Sequence, residues 1–498
     1  MQLLRKMLLT LFILLYLVIC PLVILSALGI TFKPETQTLL KTGLIHLSSI
    51  PAEAAIYINS RQYQDKTPTI IRNLPPGYYS IKILLNNYKM WKKILPVQAE
   101  KATSVENILL IPVTWPSEPL TPTPFQHLIP LSPQPVLMIT NGPLLKDIYA
   151  YNLTTSLKKE IFEDNEAAKN NSLISLFPDD SPYSQSKLVK YFVINDSPHI
   201  LIQTLLDGKK KYLWVDLTET IPSIEDISEL FPSAAEQMIW NKENNNLLFS
   251  MNQGSLNRLD VVSRAIYPHI AENIAAFAVY KNHIYVLTKN DTIKRLGFNG
   301  KVDKILLDTA LGQSLFKKAD KIQMSVYADN LVLFVTENGA LVSNYLPHRL
   351  IEKDVKGLVF NEDKRQLLVW TKDKMGLIDF SQINKDKILK KRARLTWLDI
   401  EAKGIQQALF ANQGANIIFT DQNITYITET RPFNQPLKHE ITPIKKGSSV
   451  MYSEENGKLF YLDPKTSNLS FIQIKPESTL LPLPPFEKPK EEKKENEI

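Results

Sequence analysis

Among its 498 residues the chain has one cysteine, Cys20, so neither an intrachain disulfide nor a cysteine-based zinc site can form. Glycine is scarce, at 16 residues, whereas proline is frequent, at 32. The 58 basic and 51 acidic side chains leave a net charge of only +7. Charge spread this thinly excludes the clustered basic face that nucleic-acid binding requires. The 44% apolar and 22% charged content is that of a globular chain, which excludes a disordered or polytopic membrane protein.

Sequence motifs for catalysis and for metal binding are absent as well. No two of the seven histidines are four residues apart, so the zinc-helix motif is missing. There is no Gly-x-Ser-x-Gly elbow, Walker loop or dinucleotide-binding glycine run. The nearest approach to a calcium loop, at Asp179, is predicted to be a plain loop. We therefore predict a non-enzymatic protein with no catalytic residue, no cofactor and no metal site.

One long apolar run lies near the N-terminus. Residues Met7 to Phe32 carry no charge, and 26 residues suffice to cross a bilayer, since about 20 are needed at 1.5 Å per residue. Arg5 and Lys6 precede the run and favour a cytoplasmic N-terminus. These features predict a tail at 1–6, an uncleaved single-pass signal anchor at 7–32 and an extracytoplasmic remainder. A cleavable signal peptide is the alternative, although its apolar region is normally about 7–15 residues.

Residues 43–112 show short alternating segments. Ala55 to Asn59 and Tyr78 to Leu84 alternate apolar and polar side chains, as strands with one buried face do. Thr67-Pro68 begins another segment, and the turn at Leu74-Pro75-Pro76-Gly77 needs a glycine that can adopt positive φ. Strands of this length and spacing predict a small antiparallel β-sandwich.

The order of these motifs resembles a PEGA domain, a β module of prokaryotic surface proteins. The motif residues are Pro51, Ala54, Thr67, Pro68, Pro76 and Gly77. In the family motif Pro-Glu-Gly-Ala the glycine position corresponds to Glu53 here. The resemblance implies an extracytoplasmic, non-catalytic adaptor or spacer.

A proline-rich stretch follows at 113–135. Such proline density favours extended polyproline II and excludes helix, so the sequence predicts a semi-rigid linker.

A repeated motif occupies the region from 136 to 479. An apolar residue, Asp or Asn, another apolar residue and then Ser or Thr recur, with the polar positions at Asn152, Asp216, Asp260, Asp379 and Asp463. Most units have an earlier apolar strand, such as His283 to Leu287. A repeat of about 44 residues with three or four strands predicts a β-propeller of seven or eight blades. The Asp or Asn is predicted to be structural, accepting backbone N–H bonds in the turn that leaves an inner strand.

The last residues, 480–498, are rich in Lys, Glu and Pro and are predicted to be a disordered charged tail. Taken together, these features predict a mainly β, membrane-anchored scaffold of the prokaryotic envelope whose propeller binds an envelope protein or a wall polymer. Two alternatives stay open: a propeller enzyme acting on envelope glycans or peptides, and a signalling or assembly accessory factor.

Overall fold

The structure is a computed structural model. It describes residues 5, 7, 9, 11–17, 19–20, 30–33, 38–131, 136–152, 173–193, 199–217, 222–231, 235–307, 321–328, 331–344, 349–380, 395–430 and 437–476. The fold is mainly β. Within these residues, no helix combines the length and the apolarity that a membrane crossing requires.

Near the N-terminus, residues 11–17 and 19–20 are helical. Large apolar side chains between Met7 and Ile19 are 46–72% exposed. The chain then forms two short paired strands, β1 (Ile30–Lys33) and β2 (Thr38–Lys41). The predicted anchor extended to Phe32, and this limit is wrong because Ile30 already pairs with Lys41 in a strand.

Two sheets form the domain that follows. Their seven strands are β3 (Gly43–Ile50), β4 (Ala55–Ile58), β5 (Arg61–Lys66), β6 (Thr69–Leu74), β7 (Gly77–Leu84), β8 (Trp91–Val97) and β9 (Ala102–Leu109). One sheet has the order β6-β3-β9 and the other the order β5-β4-β7-β8. Ile45, Leu47, Ile56, Ile81 and Ile83 lie in a shared core and are fully buried.

The sandwich predicted from the sequence is present, but it is not wholly antiparallel. Strands β3 and β9 run parallel, with Leu44 opposite Ala102. A parallel pair needs a crossover rather than a hairpin, and strands β4 to β8 form that crossover. The predicted turn also differs, because Asn73 rather than Gly77 adopts the left-handed conformation, at φ 57°.

Eight four-stranded antiparallel sheets make up the rest of the described chain, and we call them blades 1 to 8. Blade 1 is β11 (His127–Leu131), β12 (Val136–Thr140), β13 (Ile148–Asn152) and β14 (Leu173–Ser175), with a 3₁₀ turn at Leu145–Asp147. Blade 2 is β15 (Lys187–Val193), β16 (His199–Leu206), β17 (Lys209–Asp216) and β18 (Ser223–Asp226), followed by a 3₁₀ turn at Ser228–Leu230. Blade 3 is β19 (Gln237–Asn241), β20 (Asn244–Asn252), β21 (Ser255–Asp260) and β22 (Ala265–Ala271). Blade 4 is β23 (Ile274–Tyr280), β24 (His283–Thr288), β25 (Ile293–Leu296) and β26 (Val302–Leu307).

The remaining four blades follow the same pattern. Blade 5 is β27 (Ile322–Ala328), β28 (Leu331–Thr336), β29 (Leu341–Ser343) and β30 (Arg349–Glu352). Blade 6 is β31 (Gly357–Asn361), β32 (Gln366–Trp370), β33 (Met375–Asp379) and β34 (Leu395–Trp397). Blade 7 is β35 (Ile405–Ala411), β36 (Asn416–Asp421), β37 (Ile424–Glu429) and β38 (His439–Pro443). Blade 8 is β39 (Met451–Ser453), β40 (Lys458–Leu462) and β41 (Asn468–Gln473), completed by β10 (Ser117–Pro124).

Each blade shares a buried apolar cluster with the next, and blade 8 shares one with blade 1. The cluster that joins the ends contains Phe125 and Leu128 from the start of the domain and Phe460 and Leu469 from its end. The second strand of a blade contacts both neighbours, which is why consecutive residues such as Ile200, Leu201 and Ile202 are all fully buried. The described blades therefore pack as a ring, as in a β-propeller.

The predicted linker at 113–135 is wrong over most of its length. Strand β10 pairs with β41, so it joins the N-terminal side of the domain to its last blade, and β11 opens blade 1. The prolines are accommodated because β10 is an edge strand, where a missing N–H costs no ladder bond. Residues 132–135 and the predicted tail at 480–498 lie outside the described residues.

Candidate functional site

The repeat-turn residues occupy a constant place in four blades. Asn152, Asp216, Asp260 and Asp379 each end the third strand of a blade. Asp463 instead follows the second strand of blade 8. Asp463 is therefore one strand out of phase with the other four positions.

Asp463 and Asp260 accept backbone N–H bonds within their turns. Asp463 Oδ1 accepts from the N–H groups of Lys465 and Thr466, both at 2.9 Å. These bonds favour the carboxylate and, against the opposing effect of burial, lower the pKa of Asp463. Asp260 Oδ1 accepts from Ser263 N–H at 3.0 Å. Asp216 differs, since its Oδ2 lies 3.4 Å from His199 Nε2.

The PEGA motif residues hold one loop to one strand end. Thr67 is fully buried, and its Oγ1 lies 2.5 Å from Ser49 Oγ and accepts from Ala54 N–H at 3.1 Å. Backbone bonds join the same segments, with Thr67 N–H donating to Ala54 O at 3.0 Å. Pro51 and Pro68 both follow cis peptide bonds. Thr67 is thus the residue that fixes the motif loop.

Two motif positions lie apart from this cluster. Glu53, at the family's glycine position, has φ 63°, so the left-handed turn forms without glycine. Pro76, between β6 and β7, and Gly77, the first residue of β7, are both exposed. Glu53 lies between β3 and β4, and Pro76 lies between β6 and β7, so both belong to connections within the sandwich.

A buried ion pair joins the PEGA-like sandwich to blade 7. Lys93 Nζ lies 2.7 Å from Glu429 Oε2, and the Lys93 side chain is only 2% exposed. The indole N–H of Trp91 donates to Glu429 Oε1 at 2.6 Å. Both Trp91 and Lys93 belong to the inward face of β8, so Glu429 at the end of β37 receives one partner on each carboxylate oxygen.

Apolar and amide contacts extend this junction. Leu109 and Ile111 are buried in the cluster that joins blades 7 and 8, next to Ile427. Asn412 Nδ2–H donates to Asn107 O at 2.8 Å, and Asn107 Nδ2–H donates to Gln413 Oε1 at 3.3 Å. The sandwich therefore packs directly against the blades and is not separated from them by a flexible linker.

A small pocket opens at the same junction. Its lining includes Lys89, Trp91, Ile427, Glu429 and His439. Burial lowers the pKa of His439 to about 4, and the positive charges of Lys89 and Lys93 act in the same direction. His439 is therefore neutral at pH 7 and can serve as a hydrogen-bonding group but not as a cation.

No metal-binding geometry occurs in the part of the chain that the structure describes, where no three His, Cys, Asp or Glu side chains converge. His348 lies outside the described residues. The junction contains one carboxylate, Glu429, which pairs with a lysine and accepts an indole N–H in an apolar surround.

Neither Lys93 nor Glu429 was among the site residues predicted from the sequence. A signal for Lys93 exists, because it occupies an inward position of β8 between Trp91 and Leu95, at period two. A lysine on a buried face needs an anionic partner. The partner could not be read from the sequence, since Glu429 lies more than 300 residues away and follows an ordinary strand pattern.

Comparison with known proteins identifies part of the chain. Residues 42–109 match the PEGA domain family. No curated protein matches the sequence.

Solved structures with a similar chain path include the C-terminal WD40 domain of Sif2, at 8% identity, a TM-score of 0.46 and coverage of 72% of this chain and 98% of that one. BamB from Moraxella catarrhalis is similar at 11% identity, a TM-score of 0.40 and coverage of 72% and 98%. PorZ, a bacterial surface component of Porphyromonas gingivalis, is similar at 10% identity, a TM-score of 0.38 and coverage of 70% and 42%. The chain thus carries a PEGA domain at residues 42–109 that is joined through a buried ion pair to a β-propeller-like domain.

Proposed function

We propose that this protein is a membrane-anchored, extracytoplasmic scaffold of the cell envelope, in which the PEGA domain holds the propeller in a fixed orientation so that it can bind a protein partner. The observation that carries this proposal is the junction at Lys93, Trp91 and Glu429. A flexible spacer would not need a buried ion pair to its neighbour.

The proposed anchor is the apolar run that ends before β1. Residues 7–29 contain no charged side chain, and 23 residues at 1.5 Å each span about 34 Å, enough for a hydrocarbon core of about 30 Å. The exposed Leu11, Phe12 and Leu14 support this proposal. A continuous row of large apolar side chains in water is unfavourable, and a bilayer removes that cost.

The orientation rests on charge. Arg5 and Lys6 lie immediately before the run and favour its N-terminal side in the cytoplasm. The PEGA domain and the blades then lie outside. A ring of blades presents loops from several blades at each end, which suits it to binding a protein without catalysis.

Reporter fusions test this topology. A phosphatase that folds only outside the cytoplasm is fused after residue 476, once to the full chain and once to a matched chain lacking residues 7–29. We expect phosphatase activity and membrane sedimentation for the full chain and neither for the deletion. Activity confined to a cytoplasmic reporter on the full chain would contradict the proposed location.

The binding role has a separate test. Photocrosslinking side chains are placed on exposed propeller turns, at Asp207 and Lys446, and at Arg72 of the PEGA domain as a control. We expect a discrete crosslinked envelope protein from the propeller positions and none from the control. Crosslinks from no propeller position would contradict a protein-binding face.

A further inference from the structure

One face of the PEGA domain is basic and carries exposed apolar side chains. Strands β5, β4, β7 and β8 pack one side of their sheet on the core, as the buried Ile56, Ile81 and Leu95 show. The alternate residues of these strands face away from the core. That outward face consists of Ala55, Tyr57, Gln62, Gln64, Lys66, Tyr78, Ser80, Lys82, Leu84, Lys92, Ile94 and Pro96.

The charge on this face has a single sign. It includes three lysines and no Asp or Glu. Lys82 and Lys92 lie directly opposite each other on β7 and β8, an arrangement of like charges that destabilises the sheet slightly. Lys66 has an exposed partner, with its Nζ 3.7 Å from Glu53 Oε2. The two lysines lie on the β7–β8 side of the sheet, so this part of the face can attract an anion.

Large apolar groups surround the two lysines. Tyr78 is 79% exposed and Ile94 is 47% exposed, and they lie on the same side of the sheet as Lys82 and Lys92. Tyrosine and aliphatic side chains next to lysines are the combination that favours a membrane–water interface. A soluble anionic polymer would be bound by the lysines but would leave Ile94 in water.

The chain path brings this domain to the end of the apolar run. Strands β1 and β2 form a hairpin in which Ile30 pairs with Lys41. Paired residues of this kind are about 5 Å apart. Gly43, the first residue of β3, therefore begins two residues after the partner of Ile30. If residues 7–29 span a bilayer, the PEGA domain starts at the bilayer surface.

We propose that the outward face of the PEGA domain docks on anionic lipid headgroups of the bilayer in which the chain is anchored. Lys82 and Lys92 contact the phosphates, and Tyr78 and Ile94 enter the interface. This inference rests on the proposed anchor. Together with the Lys93–Glu429 junction, it would set the propeller at a fixed angle to the membrane.

The test uses the full chain in vesicles. Cys20 is replaced by Ser, and an environment-sensitive fluorophore is attached at Ser80→Cys, which lies on the proposed face opposite Ile94. Vesicles contain brominated lipids that quench the fluorophore, either of phosphatidylcholine alone or with about one-third phosphatidylglycerol. The test variant is Lys82→Gln/Lys92→Gln. The matched control is Lys209→Gln/Lys210→Gln, which removes two exposed lysines from blade 2.

We expect strong quenching in anionic vesicles and little in neutral ones. Each lysine near an anionic surface contributes a factor of about five to docking, so the double substitution in the face should weaken it about 30-fold. The blade 2 control should behave as the parent does. Salt at about 1 M, where the Debye length is about 3 Å, should reverse docking. Quenching that is absent, or that is unaffected by lipid charge and by both variants, overturns the inference.

Flotation of the same samples separates the two proposals. Flotation with neutral vesicles measures insertion of the proposed anchor, whereas quenching in anionic vesicles measures docking of the outward face of the PEGA domain. Flotation only with anionic vesicles, lost in Lys82→Gln/Lys92→Gln, would refute the anchor and support the face. Binding of soluble polyphosphate without quenching would refute a lipid partner in favour of a free anionic polymer.

Discussion

Removal of Lys93 tests the junction between the PEGA domain and blade 7. In Lys93→Met the Glu429 carboxylate loses its cation but keeps the Trp91 N–H, and its side chain is 21% exposed. Removing one partner of a buried ion pair costs about 3–5 kcal/mol of stability. We expect a smaller loss here, about 2–3 kcal/mol, because Glu429 is partly exposed and keeps its charge-assisted bond to Trp91. The reverse change, Glu429→Leu, should cost more, about 3–5 kcal/mol, because it removes the carboxylate that pairs with the 2% exposed Lys93 and accepts from the Trp91 N–H.

The double variant separates the ion pair from packing. Lys93→Met/Glu429→Leu removes both charges of the pair, and we expect a cost of about 1–2 kcal/mol, well below the sum of the single changes. Free energies of unfolding come from denaturant titration, with hydrogen exchange of β8 and β37 to localise the effect. The matched control is Lys211→Met, which breaks the more exposed pair with Asp226 at 2.8 Å and should cost about 1 kcal/mol or less. A cost below about 1 kcal/mol for both single changes, or strict additivity in the double variant, would show that Lys93 and Glu429 are not an energetically coupled pair.

Three further predictions concern other parts of the chain. Because the folded chain resists protonation of His439 down to about pH 4 whereas the unfolded chain binds the proton near pH 6.5, stability should fall as pH drops across this range. At 1.36 kcal/mol per pH unit, the largest loss of unfolding free energy is about 3 kcal/mol, and the partial exposure of His439 reduces it to about 1–2 kcal/mol. Denaturation of His439→Gln at several pH values should no longer show this loss. Thr67→Val removes the side-chain acceptor of the Ala54 N–H and should cost about 1–3 kcal/mol of stability in a thermal melt. The control Thr69→Val, at a partly exposed position, should cost less than about 0.5 kcal/mol. Equal costs would argue against the role of Thr67 in fixing the motif loop. Phe460→Ala leaves a cavity in the cluster between blades 8 and 1 and should lower the free energy of unfolding by about 3–5 kcal/mol. It should also speed hydrogen exchange in β10. Unchanged exchange in β10 would contradict closure of the ring.

Much of the fold could be predicted from the sequence because the burial of a strand leaves a local pattern of apolar residues. The PEGA domain was predictable from an ordered set of turns and prolines around Pro51, Thr67 and Pro68, and its family match confirms it. The apolar second strands, such as Leu331 to Val335, marked the repeat because both faces of a blade are covered. These signals depend only on neighbouring residues.

Features that depend on distant partners were not readable. The prolines from 116 to 135 indicated a linker, yet Ser117 and Pro119 lie in a strand that pairs with residues near 470. A strand that completes a sheet from the opposite end of a chain shows no local sign of its partner. The same holds for Lys93, whose burial is visible in the alternation of β8 but whose partner Glu429 is set only by the docking of two domains. Glu53 is a further example, because the left-handed turn forms there although the residue is not the glycine of the family motif.

The most direct test of the central claim measures whether the PEGA domain and the propeller move as one body. Spin labels are attached at Ser80→Cys on the PEGA domain and Lys209→Cys on blade 2, with Cys20→Ser, in the full chain. Pulsed electron resonance then gives the distribution of distances between the two labels. We expect a single narrow distribution that broadens in Lys93→Met. A broad distribution in the parent chain would show that the PEGA domain is a flexible spacer and would contradict the proposed scaffold.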